Sequence, residues 1–174
     1  MEDTELTDLT MRRATEADAE ALHALVSAHV KEGRLLPREL DEIRRHAGRF
    51  VVCERGGEIK ACAELAPLSS RVGEVRSLVV SGTFRRHGVA ARVIDALRDR
   101  AKGAGLDTLC AFTHDARFFV RQGFSIVPHV WLPEKIGTDC VACPLFRKCE
   151  QFAMTLSLHP VARYAPPAAA AAVA

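Results

Sequence analysis

The sequence is short of the features that send a chain through a membrane, into the secretory route or onto nucleic acid. Neither sign of charge is in excess: 24 Lys and Arg stand against 22 Asp and Glu, a formal net charge of +2. That excludes the strongly basic balance of a nucleic-acid binder. It leaves a small phosphorylated ligand, held by a few local basic residues. No long hydrophobic run exists. The longest, Ala168 to Ala174 after Pro166-Pro167, is far below the roughly 18 residues of a spanning helix. The opening residues, Met1-Glu-Asp-Thr-Glu-Leu-Thr-Asp8, contain neither a basic n-region nor an apolar h-region, so no signal peptide is expected. Six cysteines without a secretory context read as free thiols in a cytoplasmic protein.

What is present is an ordinary globular composition. The 174 residues are 48% hydrophobic and 26% charged, which is about one domain. Residues 1–9 read as a disordered start, 10–158 as the domain, and 159–174 as a Pro/Ala-rich flexible tail. Met11 to Ala14 suits a short strand. Thr15-Glu-Ala-Asp18 resembles a capping box with Asp at its fourth place, and Ala21, Leu22, Leu25, Val26 and Val30 then recur at helical spacing. A second short helix is expected over Arg38 to Ala47. Phe50 to Cys53, Ile59 to Leu65 and Val72 to Val80 read as three strands, the first two joined by a Gly56-Gly57 turn. Arg86 to Lys102 is the clearest helix, with Val89, Val93, Leu97 and Ala101 in one stripe. Strand, short helix, strand and strand follow at Leu106–Phe112, Asp115–Arg121, Phe124–Val127 and Met154–Leu158, and 129–152 reads as loop. The order predicts a single mixed α/β (α+β) domain.

The chemistry-bearing stretch is Leu78-Val-Val-Ser-Gly-Thr-Phe-Arg85-Arg86-His87-Gly88-Val89-Ala90. A buried strand runs into a turn and a helix start. Helix N-termini offer unpaired N–H groups and partial positive charge, and therefore bind anions. Gly88 and Ala90 keep side chains away from the main chain, while Arg85 and Arg86 with His87 add charge. The spacing is neither a Walker A loop nor the dinucleotide-binding fingerprint.

At this turn the chain resembles the GNAT acetyltransferases, whose hallmark Gln/Arg-x-x-Gly-x-Gly/Ala stands here as Arg85 to Ala90. Phe118-Phe119-Val-Arg-Gln-Gly123-Phe124, Leu132-Pro-Glu-Lys135, Asp139-Cys-x-x-Cys-Pro-x-Phe-x-x-Cys149 and Arg34-Leu-Leu-Pro-Arg38 narrow the likeness. They are similar to short amino-acid acetyltransferases that correspond to N-acetylglutamate synthases without their kinase domain. The resemblance implies a mostly antiparallel mixed sheet with a splayed strand pair, flanked by helices. It implies acetyl-CoA as co-substrate and no metal. The pyrophosphate would lie on the N–H groups of Arg86, His87, Gly88, Val89, Ala90 and Ala91, and the pantetheine arm beside Leu78, Val79 and Val80, near Phe118 and Phe119. An N–H at Val79 or Val80 would face the thioester oxygen.

Amine acetylation needs a base. Glu74, on the strand leading to that point, is the candidate, against the plainer reading of a solvated strand-edge charge. A small anionic acceptor calls for cations, because guanidinium forks bind carboxylates. The candidates are Arg38, Arg76 and Lys135, with Ser77 and Thr113 as polar helpers. Strand alternation would put Glu74, Arg76 and Leu78 on one face. The family's usual tyrosine position is Phe119, and the lone Tyr164 is in the tail. Cys140, Cys143 and Cys149 resemble half a zinc site, and free thiols are the expectation. The resulting reading is an enzyme acetylating L-glutamate, with L-glutamine an open acceptor. Its partners are small molecules, with no nucleic acid, no membrane and a possible homodimer. Two rivals stand beside it: a GNAT acting on another small amine or a protein N-terminus, and a silent acyl-CoA-binding module.

Overall fold

The computed structural model describes residues 8–32 and 35–159. The tail with Tyr164, most of the start, and Arg34 lie outside them. A seven-stranded sheet runs in the order β1-β2-β3-β4-β5-β7-β6. Its strands are β1 (Thr10–Arg13), β2 (Phe50–Arg55), β3 (Glu58–Pro67), β4 (Val72–Val80), β5 (Thr108–Thr113), β6 (Ser125–Val127) and β7 (Phe152–Ser157). Every pairing is antiparallel except β4 with β5. This is the mixed, mostly antiparallel sheet that the sequence led one to expect.

Alternation along β2 divides the core. Val51 and Cys53 face one cluster, Phe50 and Val52 the other. Helices α1 (Ala19–Val30) and α2 (Leu40–His46) close the second face with Leu22, Val26 and Ile43. Helix α3 (Val89–Gly103) closes the first with Val89, Val93, Ile94, Leu97 and Ala101. Fully burying each large aliphatic side chain contributes about 1.5–3 kcal/mol. Helix α4 (Ala116–Arg121) packs on the α3 side, where Phe119 meets Phe124 edge-on at 5.2 Å. The entry to α1 is fixed by Asp18, which accepts from the Thr15 N–H at 2.7 Å and holds Arg12 at 2.8 Å.

Two irregularities of β4 shape everything downstream. First, β4 pairs with β5 only over Val72–Val75, ending at Val75↔Ala111, while β5 continues to Thr113 against β7 alone. From Arg76 onward one edge of β4 faces a gap. Second, the β3–β4 register steps from Glu64↔Arg76 to Cys62↔Val79. Two β4 residues, Ser77 and Leu78, therefore oppose one on β3, a β-bulge, and Ser77 takes a left-handed φ of 50°. The bulge reverses the alternation. Val75 belongs to the α3-side cluster, whereas Val79 belongs to the α1-side one.

Several sequence expectations are corrected here. Glu74 and Arg76 share a face, but Leu78 has been turned to the opposite one, against the α3-side cluster. Helix α3 begins at Val89, not Arg86. Arg86 and Gly88 are both left-handed, at φ 68° and 74°, so the chain enters the helix through an irregular turn. The region 129–152 is not plain loop. It holds 3-10 turns at His129–Trp131 and Phe146–Lys148, a short α5 (Pro133–Lys135) and a π-helical turn over Ile136–Cys140. Leu9, assigned to the start, is buried in the core, and His159, assigned to the tail, sits 2.6 Å from Asp107.

Candidate active site

The divergence of β4 from β5 opens a cleft of about 990 Å³ between α1, α2, α4 and α5. Its walls carry Arg38, Glu74, Arg76, Ser77, Leu78, Val79, Val80, Arg85, Thr113, Phe118, Phe119 and Lys135 of the sequence-derived set. Arg86, His87, Gly88, Val89, Ala90 and Ala91 are not in its wall and form the turn beyond the far end of β4.

That far end is built from main chain. The first N–H groups of α3 have no intrahelical partner; the earliest i to i−4 bond runs from Arg92 to Gly88 O at 3.1 Å. No acidic residue stands in the first turn, and Gly88 brings no capping side chain. A Cβ built on Gly88 would meet nothing within 4 Å, so the main chain there faces open space. The glycine is required by its left-handed φ. Val89 contributes only its backbone, because its side chain is in the core. Arg86 and His87 are exposed. Arg85 differs from the expectation of a bare charge at the mouth. Its Nη2 lies 3.0 Å from both Glu32 oxygens and its Nε donates to Val80 O at 3.0 Å. These features fit a pyrophosphate-bearing ligand: an open, uncapped helix N-terminus lies next to an unpaired strand edge.

The other half is built from paired charges. Glu74, 3% exposed, is not a solvated edge charge. Its Oε2 accepts from Arg76 Nε at 2.6 Å and from Lys135 Nζ at 2.9 Å, and its Oε1 lies 2.7 Å from the same Lys135 nitrogen. Asp139, on the π-helical turn, also accepts from Arg76 Nη2, and from Lys135 Nζ at 2.8 Å. Lys135 lies 5.2 Å from the Phe112 ring centre. Burial works against the Arg76 charge, but Glu74 and Asp139, with Glu64 behind them, outweigh it and hold the guanidinium above its ordinary value.

Arg38 is no free helix-start charge. It donates to Glu42 at 3.0 and 2.7 Å, gives Nη1 to Ser77 Oγ at 3.0 Å, and lies 2.9 Å from Glu64. The strained Ser77 is thereby tied to α2. Thr113 Oγ1 lines the cleft but accepts from the Asp115 N–H at 3.0 Å within its own turn. Burial, with Glu74 close by, pushes the Cys110 thiol up to about 12. Burial alone does the same to Cys62, so neither is a thiolate nucleophile at neutral pH. Among the described residues, no group of His, Cys, Asp and Glu is arranged to hold a metal.

Three acids were missed by sequence reasoning: Glu42, Glu64 and Asp139. Glu64 left a signal. It is the one charge in Ala61-Cys-Ala-Glu-Leu-Ala66, and a carboxylate inside a buried strand needs a partner.

The chain matches the acetyltransferase (GNAT) family over residues 10–124. It is 28% identical to an uncharacterized N-acetyltransferase of Chlorobaculum tepidum, over 87% of this chain and 97% of that protein. It is 34% identical to the amino-acid acetyltransferase of Pseudomonas putida, over 66% of this chain but only 27% of that longer protein. The fold superposes on N-acetylglutamate synthase from Neisseria gonorrhoeae, complexed with coenzyme A and N-acetyl-glutamate, with a TM-score of 0.78 and 25% identity, covering 87% of this chain and 35% of that one. It also superposes on a Mycobacterium tuberculosis protein in complex with CoA and NLQ, with a TM-score of 0.74 and 23% identity, over 85% and 98% of the two chains. With a split β4, an uncapped α3 and a sequence match over most of the domain, the chain belongs to the GNAT family of acetyltransferases.

Proposed function

We propose that this acetyltransferase acts on the α-amine of a free amino acid, L-glutamate in the first place, with acetyl-CoA as donor, the reaction that opens arginine biosynthesis. The observation that carries the reading is the buried cluster of Glu74, Arg76, Lys135 and Asp139, set along β4 just before its unpaired segment. Paired carboxylates and cations there suit a zwitterionic acceptor better than a neutral amine. The Pseudomonas putida relative, named an amino-acid acetyltransferase, supports the same class. A cytoplasmic setting belongs to this reading, and no helix among the described residues is long and apolar enough to cross a membrane. Recognition through these side chains calls for no nucleic acid and no partner chain.

Acetyl-CoA supplies an acetyl group activated as a thioester. The N–H groups from Arg86 to Ala91 hold its phosphates, and the free edge at Leu78 to Val80 orders its arm, with Phe118 alongside. Of the two candidate N–H groups, that of Val80 lies on the open side of β4, because the neighbouring Ser81 N–H is spent on Lys60 O of β3. It is the donor that faces developing charge on the thioester oxygen, and one such preorganised donor is worth about 10²–10³ in rate. Arg76, Lys135 and Arg38 fix the acceptor's carboxylates, and Ser77 holds Arg38 in place. Glu74 takes the ammonium proton, directly or through a water. Phe119, buried against Phe124, offers no hydroxyl, so the leaving thiolate is protonated by water or by the product ammonium.

The test is thiol release from acetyl-CoA across the full set of amino acids, together with the α-amides of glutamate and glutamine. The acids should be the better substrates. Arg76→Ala and Lys135→Ala should each raise the amino-acid KM roughly ten- to a hundredfold, the equivalent of a charge-assisted hydrogen bond, with little change in the acetyl-CoA KM. Equal turnover of acids and α-amides overturns the amino-acid reading. Thiol release with no amine at all would leave an acyl-CoA-binding module.

A further inference from the structure

The ammonium of a lysine has three N–H donors and no more. At Lys135 two are in use, to Glu74 Oε2 at 2.9 Å and Asp139 Oδ2 at 2.8 Å, and Glu74 Oε1 lies 2.7 Å from the same nitrogen, so three carboxylate oxygens crowd the ammonium. Arg76 is drawn onto the same two carboxylates, through Nε to Glu74 and Nη2 to Asp139. A carboxylate arriving from solvent therefore meets an ammonium already enclosed by carboxylate oxygens. It gains close access when a protein carboxylate withdraws.

The two candidates for withdrawal are unequal. The Glu74 side chain is 4% exposed and is anchored in a strand paired on both sides at that residue. The Asp139 side chain is 34% exposed and stands on the π-helical turn Ile136–Cys140, where Val141 N donates to Ile136 O at 3.1 Å. A π-turn is a rare and strained helix geometry that recurs at functional positions. Asp139 is the one that can leave.

We propose that Asp139 holds, in the free protein, the place of an acceptor carboxylate, and that a dicarboxylic amino acid enters by displacing it. This rests on the reading of the cleft as an amino-acid acceptor site. Charge counting then sets specificity. Glu74 and Asp139 balance Arg76 and Lys135. Once Asp139 turns to solvent, the remaining three groups carry one positive charge. L-Glutamate, with two carboxylates and one ammonium, restores neutrality. L-Glutamine, with no net charge, leaves Arg76 and Lys135 one carboxylate short, with Glu42 and Glu64 nearby already paired with Arg38. Asp139 thus discriminates between two acceptors of nearly equal shape.

The experiment uses glutarate, a dicarboxylate without an amine, titrated by calorimetry into the CoA-saturated protein. Asp139→Asn keeps the side-chain size and removes the competing charge. Glutarate should bind the variant roughly threefold to thirtyfold more tightly than the wild type. A residue that merely positions Arg76 and Lys135 gives the opposite sign, so unchanged or weaker binding overturns the proposal. A second readout needs no variant: amide exchange at Ile136 to Val141 in the wild type should quicken on glutarate binding as the turn is released. Slower or unaltered exchange counts against displacement. L-Glutamate turnover by the wild type is measured alongside. Tightened glutarate binding without turnover sinks the acetylation reading alone; good turnover with unaltered glutarate binding sinks the displacement alone.

Discussion

Along β4 the cleft changes character at Ser77. Toward α3, recognition is left to main chain: an unpaired strand edge, an uncapped helix N-terminus and a glycine whose missing side chain leaves the N–H groups open. Toward α5, it is left to side chains already paired with one another, with Glu74, Arg76, Lys135 and Asp139 satisfied before any ligand arrives. Main chain cannot titrate or swing away, so the first half offers a fixed row of hydrogen-bonding groups. Side-chain ion pairs can be exchanged group for group, so the second half can be respecified by a few substitutions without disturbing the first. The bulge is the boundary. By reversing the alternation, it turns Glu74 and Arg76 to one face of the sheet and Leu78 to the other.

Breaking the two halves separately gives effects of decreasing size. Glu74→Gln keeps the shape but removes the proton acceptor. The rate at neutral pH should fall by about 10²–10⁴, recovering in part as pH rises and free amine accumulates, while calorimetry finds acetyl-CoA affinity unaltered. A variant with the wild-type rate and pH profile would remove the base from the acceptor half. Gly88→Asp acts on the other half alone. Asp tolerates a left-handed φ, and its carboxylate would lie where phosphate is expected. Acetyl-CoA affinity should drop at least roughly tenfold, the scale of one charge-assisted contact, with the fold retained by circular dichroism. Equal affinity would place the phosphates elsewhere.

Asp18→Asn touches neither half and sharpens the comparison as its control. It removes a cap and an Arg12 partner, contributing about 1 kcal/mol, so Tm should fall by about 2–4 °C, with both substrate constants unmoved. Its pH dependence has a definite sign. The Arg12 hydrogen bonds hold the Asp18 carboxyl well below the usual carboxylate range, against the opposing effect of burial. A group depressed in this way adds stability that is fully present above its unfolded value of about 3.9 and is lost as pH falls further. The Tm gap between wild type and variant should therefore narrow below that pH and stay constant above it. A gap that widens in acid would show that Asp18 acts through something other than its charge.

The same division governs what could be read from the chain. Strand β4 was legible to the residue, Val72 to Val80, because apolar alternation and turn residues bound it on both sides. The uncapped turn into α3 is legible because a main-chain feature leaves a local mark, Gly88 after basic residues. The start of α3 was placed three residues early, since nothing in Arg86-His87 announces a left-handed backbone at a residue other than glycine. The charged half is only partly legible. Strand alternation marks Arg76 and family likeness marks Lys135, but their common partners are long-range: Glu74 is 61 residues from Lys135, and Arg76 is 63 from Asp139. Pairings over such separations are set by topology, and no periodicity reports them. The bulge was invisible for a related reason, because Ser77 is an ordinary strand residue in composition and is left-handed only by its pairing.

A sheet ordinarily has two edges, one at each end. Here both outer edges are stubs, Thr10–Arg13 and Ser125–Val127, too short to recruit another chain firmly. The parting of β4 from β5 gives the molecule a third edge, and that one is interior. Its unused hydrogen-bonding capacity is shielded from foreign strands by the helices around it, yet it is open to anything thin enough to lie lengthwise between two strands. A linear, amide-bearing ligand entering there would act as a missing strand, joining the two parts of the sheet. The gap is thereby a selection by thickness: among the described residues, the free edge from Arg76 to Val80 lies where only a chain one strand wide can use it.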